Sequence, residues 1–203
     1  MVSPSGEQRL LDVAAIFAAV FIVIGVTFAR KPWPSVDRFG SLASGKALPL
    51  AIVFTRSGYT PALTVVAIAG AIAAIALRAS LGAPAMLIAL QLVGQLCAGG
   101  AKRLVARLRP EVWHFRHELG FAYPSGHAVT AIFFYPAWAA IAQHWPIPRS
   151  LHVAALALAA LWALGIGWSR LALGAHRLTD VLGGYSLGAA LLCIFMGTAG
   201  IER

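Results

Sequence analysis

Six runs of apolar residues, each close to the length that crosses a bilayer, set the tightest limit on what this chain can fold into. They fall at residues 11–29, 60–77, 84–101, 127–144, 151–168 and 178–198. A crossing helix needs about 20 mostly apolar residues. Inside lipid every backbone N–H and C=O must find its partner within the protein, so only helices and closed barrels survive there. The expected fold class is therefore all-α: an integral membrane bundle of six transmembrane helices, forming one membrane-embedded domain over residues 1–203. Composition agrees, since only 11% of the residues are charged and 60% are hydrophobic, whereas a soluble domain carries about 25% charged residues. Pro61, Pro84, Pro146 and Pro148 lie near the ends of these runs, where proline is tolerated. Trp33, Trp145 and Trp168 also fall near ends, as an aromatic belt requires. Abundant Gly and Ala within the runs allow close helix packing.

The first run is longer than a signal-peptide core of about 7–15 residues, and no clear small-residue cleavage site follows it, so a retained helix is expected. Residues 30–59 carry Arg30, Lys31, Asp37, Arg38, Lys46 and Arg56 among short apolar pieces. They are expected to form an interfacial segment between helices one and two. Cys97 and Cys193 sit inside apolar runs in no metal or disulfide pattern, and are read as small buried thiols.

The formal net charge of +9 would suit nucleic acid in a soluble protein. Here the cations cluster between apolar spans and no aromatic-plus-basic motif accompanies them. Membrane lipids and lipid phosphates are the expected partners, and nucleic acid is not.

Three short stretches concentrate the polar chemistry: 102–110, 124–127 and 169–180. The first two lie between spans three and four, the third between spans five and six. Two crossings separate them, so all emerge on one membrane face. In the first, Lys102 and Arg109 are seven residues apart and share a side if the helix continues, with Pro110 ending it. Arg103 and Arg107 in the same stretch make a plain basic membrane anchor the competing explanation. In the second, Pro124-Ser125-Gly126-His127 begins span four, and a helix start offers unpaired amides to an anion. Ser125 serves there as N-cap or as phosphate donor, and Gly126 lets the backbone approach closely. In the third, His176 and Asp180 share a face if helix six begins by His176. The carboxylate then holds one ring nitrogen and leaves the other free to attack. Arg170 adds a planar donor for phosphate oxygens. Such a set can bind a phosphate, attack it and protonate its leaving group. Of the remaining histidines, His114 and His117 are read as solvated loop residues, whereas His144 and His152 flank the opposite face. Glu111 and Glu118 either tune substrate choice or balance nearby arginines.

In order and spacing, Lys-x6-Arg-Pro, Pro-Ser-Gly-His and Ser-Arg-x5-His-x3-Asp resemble the type 2 phosphatidic acid phosphatase superfamily, and each defining position is filled. The resemblance implies His176 as the nucleophile of a phosphohistidine, Asp180 as its orienting carboxylate and His127 as the acid for the leaving oxygen. It implies Lys102, Arg109, Ser125, Gly126 and Arg170 as phosphate holders, with no metal and no cofactor. The expected activity is hydrolysis of a lipid mono- or diphosphate: a polyprenyl diphosphate, phosphatidylglycerol phosphate, phosphatidic acid or lipid A phosphate. Transfer of the phosphate to a lipid acceptor uses the same intermediate and stays open. Vanadate haloperoxidases share the site, but six spans argue against a soluble oxidase. A non-enzymatic lipid transporter is disfavoured because the polar groups gather at one face and not at the midplane.

Sidedness draws opposed arguments. Four cations, Arg9, Arg78, Arg149 and Arg203, fall on the terminal face and the rest of the 16 on the catalytic face. The positive-inside rule would make that face cytoplasmic. Phosphate chemistry itself demands several of those cations, and relatives of this type work outside the cytoplasm. A periplasmic site in a bacterial inner membrane is the expectation.

Overall fold

In the computed structural model, residues 4–28, 34–112 and 114–198 are described, and all of their regular structure is helical. Trp33, Arg30, Lys31 and Arg203 lie outside the described residues. The elements are α1 (Pro4–Val23, continued by a π-helical turn Ile24–Phe28), α2 (Pro34–Ser41), α3 (Leu48–Ser57), α4 (Thr60–Ala76), α5 (Gly82–Val105), α6 (Gly126–Ala142), α7 (Arg149–Ala172) and α8 (Leu178–Thr198).

Polarity is distributed the opposite way from a soluble protein. Large apolar side chains cover the outside: Ile16, Val26, Val65, Ile72, Leu96 and Leu161 are all exposed. Charged groups are buried instead, among them Arg107, Arg170 and Asp180. A continuous exposed apolar girdle is a lipid-facing surface, and the chain is an integral membrane protein. Four helical stretches are long and apolar enough to cross (residues 6–28, α5, α7 and α8), and α3 with α4, bent by 57°, makes a fifth. The short apolar α6 is the innermost helix, packed between α5, α7 and α8. Val129, Phe133, Phe134 and Ala137 build the core with Leu87, Leu191 and Phe195. Gln91 and Gln95 of α5 donate to Thr130 Oγ1 of α6 at 2.7 and 2.9 Å, a polar clasp inside the bundle.

The helix ends refine the sequence reading. Leu48–Ser57, within the stretch expected at the interface, is a regular helix. It packs along α7 through Ala51, Ala172 and Leu173 and bends directly into α4. Ten residues cannot span alone, so its apolar pattern carries no span signal. Trp168 lies about one turn before the end of α7 and packs edge-on to Phe54 of α3 at 6.4 Å. Cys97 is exposed on α5 and Cys193 half-buried, so the buried-thiol expectation fails. A helix apolar on every side does not reveal which face meets lipid.

Candidate active site

The three motifs converge where α5 and α7 end and α6 and α8 begin. Helix α5 stops earlier than the Lys102–Arg109 spacing suggests. Ala106 adopts a left-handed conformation (φ 51°), and residues 106–110 leave the helix without regular structure. Lys102 and Arg109 therefore do not share a helical face. They meet through a common acceptor strip instead. Lys102 Nζ donates to Phe121 O at 2.9 Å. Arg109 Nε and Nη2 donate to Gly120 O at 3.0 Å and Leu119 O at 3.2 Å. Arg170, buried at the end of α7, donates from Nη2 to Glu118 Oε1 at 2.9 Å and from Nη1 to the Thr55 hydroxyl. Residues 118–121 thus gather all three cations. Glu118, left open by the sequence, balances Arg170. Burial opposes its ionisation, but Arg170 and the hydrogen bonds from Arg170 and Tyr59 outweigh it and lower its pKa to about 2.

At the start of α6, Ser125 N donates to Asp180 O at 3.0 Å, which ties the second motif to the third. The Ser125 side chain makes no capping bond, and its Oγ is buried with no partner. Of its two sequence roles, capping is removed. Gly126 opens the helix. The His127 ring stands edge-on to Tyr59 at 4.6 Å, and its Nε2 is likewise buried with no partner.

His176 lies in the turn before α8, not on the helix. Gly174 (φ 68°) makes that turn possible, since a Cβ there would lie 2.0 Å from Val112 O. Asp180 Oδ2 accepts from Arg177 N at 2.8 Å while Asp180 N donates to Arg177 O at 3.1 Å, a reciprocal cap that starts α8. His176 Nδ1 sits 3.7 Å from Asp180 Oδ2, an ion-pair distance longer than a hydrogen bond. His176 Nε2 is 3.0 Å from Arg109 Nη1. Arginine only donates, so Nε2 must present its lone pair, and the ring proton of neutral His176 belongs on Nδ1, toward Asp180. Burial, reinforced by the charges of Arg170 and Arg109 against the opposing pull of Asp180, pushes the His176 pKa down to about 3. The ring is therefore neutral, with its unprotonated nitrogen aimed at Arg109.

The sequence reading missed several contributors. Arg107, which entered the sequence reading only through the competing membrane-anchor explanation, is buried and bonds Asp180 Oδ1 at 2.7 Å. Its other nitrogen bonds Asp37 of α2 at 2.7 Å. Thr55 and Tyr59 reach the site from the α3–α4 bend. A cavity of about 400 Å³ beside α2 is lined by Arg38, Ser44, Val112, Arg177 and His176. His114 is half-buried, and its Nε2 lies 3.0 Å from Ser44 Oγ. His144 is exposed at the far end of α6. Among the described residues, no three His, Cys, Asp or Glu side chains come together in a metal-binding group.

Comparison with known proteins agrees with this arrangement. Phosphatidylglycerophosphatase B of Bacillus subtilis is 37% identical over 97 residues, covering 47% of this chain and 48% of that protein. The Escherichia coli K12 protein of the same name is 37% identical over 83 residues, covering 40% of this chain and 30% of that one. The matched region thus spans about half the length of the Bacillus relative and less of the E. coli one. The fold matches the crystal structure of the first transmembrane PAP2 type phosphatidylglycerolphosphate phosphatase from Bacillus subtilis, with a TM-score of 0.81, 24% identity and coverage of 91% of this chain and 94% of that one. The sequence profile of the PAP2 superfamily matches residues 83–200, which contain all three motifs. The chain belongs to the PAP2 superfamily.

Proposed function

We propose that this chain is a membrane-embedded lipid phosphate phosphatase working through a phosphohistidine. The observation that carries the reading is the buried, neutral His176, with Nδ1 toward Asp180 and Nε2 toward Arg109. Nε2 attacks phosphorus and forms a P–N bond as the lipid oxygen departs. Asp180 stabilises the imidazolium character that develops on the ring. Lys102, Arg109, Arg170, the Ser125 hydroxyl and the first amides of α6 at Gly126 hold the phosphoryl oxygens. His127 gives its proton to the leaving oxygen. It then takes a proton from water, whose oxygen attacks phosphorus, breaks the P–N bond and releases phosphate. No step calls on a metal.

The names of the relatives support phosphatidylglycerol phosphate as the first substrate to test. Phosphatidic acid and a polyprenyl diphosphate come next. The six crossings are α1, the bent α3–α4 pair, α5, α6, α7 and α8, in a single domain. Segment 34–47, with α2, lies at the interface beside the site, and the Arg38-lined cavity supports a role for it at the lipid entrance. The catalytic face is assigned to the periplasmic side of a bacterial inner membrane.

Phosphate release from a panel of detergent-solubilised lipids tests the function. Release without an added acceptor supports hydrolysis, and strict dependence on a lipid acceptor selects phosphotransfer. His176→Ala should abolish turnover, and Asp180→Asn should lower kcat severely. A His176→Ala protein that turns over normally ends the assignment.

A further inference from the structure

We infer that Arg107 and Asp37 are positioning residues that set the orientation of the Asp180 carboxylate toward His176. The inference rests on the roles of His176 and Asp180 proposed above. Asp180 is fully buried, so protein groups alone fix its carboxylate plane. Oδ2 accepts from Arg177 N at 2.8 Å and faces His176 Nδ1 at 3.7 Å. A single bond to Oδ2 restrains the carboxylate but leaves it some freedom to rock about its last side-chain torsion. Arg107 Nη1 removes that freedom by bonding Oδ1 at 2.7 Å.

Arg107 is itself fixed from the other side. Its Nη2 bonds Asp37 Oδ2 at 2.7 Å. The other oxygen of Asp37 accepts from Thr179 N at 3.1 Å and Thr179 Oγ1 at 2.8 Å. Arg107 Nη1 also donates to Thr179 Oγ1 at 2.5 Å. Thr179 is the neighbour of Asp180, so the contacts close a ring: Asp180, Arg107, Asp37, Thr179 and back along the chain to Asp180. The planar guanidinium with two nitrogens engaged is the geometry that only arginine supplies.

The charges fit the same role. Arg107 alone would neutralise Asp180 as seen from His176. Asp37 neutralises Arg107 in turn, so the buried trio carries one net negative charge beside the ring that turns cationic during phosphoryl transfer. A buried pair of this kind contributes little net stability. Its bearing on the aspartate, more than its energy, is the informative feature. Helix α2, between the first two spans, thereby acts on the chemistry without touching the phosphate.

Two substitutions separate this role from support of the fold. Arg107→Lys keeps the charge but cannot bridge both carboxylates. Asp37→Asn is nearly isosteric and breaks the far end of the ring. Each should lower kcat about 10–100-fold, with KM within about twofold, because Lys102, Arg109 and Arg170 are untouched. In single-turnover assays both effects should vanish when added to Asp180→Asn, because the residues act through that carboxylate. Unchanged kcat in both proteins, or losses of full size in the Asp180→Asn background, overturns the inference. So does failure of both proteins to fold; if one fails, the other decides. Full activity of Asp180→Asn alone would instead overturn the site assignment on which the inference stands.

Discussion

A single methyl group at position 184 probes how closely the two halves of the site must be held. Gly184 of α8 faces the start of α6. A Cβ there would lie 2.5 Å from Ser125 O and 2.7 Å from the Ala128 Cβ. Ordinary carbon–oxygen contact begins near 3.3 Å, so the helices must part by about 0.8 Å. Two effects oppose each other in Gly184→Ala. Helix propensity favours Ala by about 1 kcal/mol. Overpacking costs about 1–3 kcal/mol, and it prevails because the obstructing atoms include backbone that no rotamer change can clear. The displacement falls between Ser125 and His127 on one side and Asp180 on the other. Misplacement by about 1 Å costs on the order of 100-fold in rate. Gly184→Ala should therefore lose kcat steeply, with a lowered melting temperature. Gly188→Ala, whose Cβ would lie 2.5 Å from Val129 O, should show a milder rate loss, one turn further from the chemistry. Gly100→Ala on α5 is the control, since nothing lies within 4 Å of its Cβ, and it should retain full activity. Steady-state kinetics and thermal melts on the three proteins decide the matter. A Gly184→Ala enzyme with wild-type kcat and stability would refute the close α6–α8 approach.

Three further outcomes follow from the site. Burial holds the His176 pKa at about 3, so kcat/KM, which reports the free enzyme, should not fall as pH drops through 6.5 once the substrate's own phosphate ionisation near pH 6 is corrected. An acid limb at the ordinary histidine pKa, lost in His176 variants, would contradict this. EDTA should leave activity intact while vanadate inhibits, and loss in EDTA restored specifically by magnesium would refute the metal-free chemistry. For sidedness, Leu119, 85% exposed on the catalytic face, takes a single cysteine in a protein with Cys97 and Cys193 replaced. A membrane-impermeant maleimide should label it in intact spheroplasts, and labelling only after lysis would place the site in the cytoplasm.

The all-helical membrane fold and the three family motifs were legible in the sequence because both signals are local. Apolar runs of bilayer length can do little else, and α8 begins and ends where its pattern does. The contributors that stayed hidden are joined across long separations. Arg107 meets Asp37 and Asp180 at separations of 70 and 73 residues, and Thr179 meets Asp37 at 142. A long cation near a membrane surface can serve lipid or a buried carboxylate equally well, and only burial tells them apart. The turn at Ala106 was equally silent, since Ala is a strong helix former and Pro110 marks a later end.

Placing so many charges at the edge of hydrocarbon requires that each be sealed by protein and not by lipid. The short central helix makes room for this. At 17 residues α6 is about 25 Å long, less than the roughly 30 Å of a hydrocarbon core. Residues 106–112, 114–125 and 173–177 gather at its N-terminal end. The cations there already have partners: Phe121 O for Lys102, the Leu119 and Gly120 carbonyls for Arg109, and Glu118 with Thr55 for Arg170. A phosphate that enters must therefore exchange with those acceptors instead of meeting bare charge. Exchange weakens ground-state binding, because each new bond replaces an old one. It costs nothing further when charge builds on the phosphoryl oxygens during transfer, since the donors are then already in place. In the proposed reaction the exchange cost is common to ground and transition states, so it raises KM and leaves kcat alone, while the donors stand in place for the charge that develops.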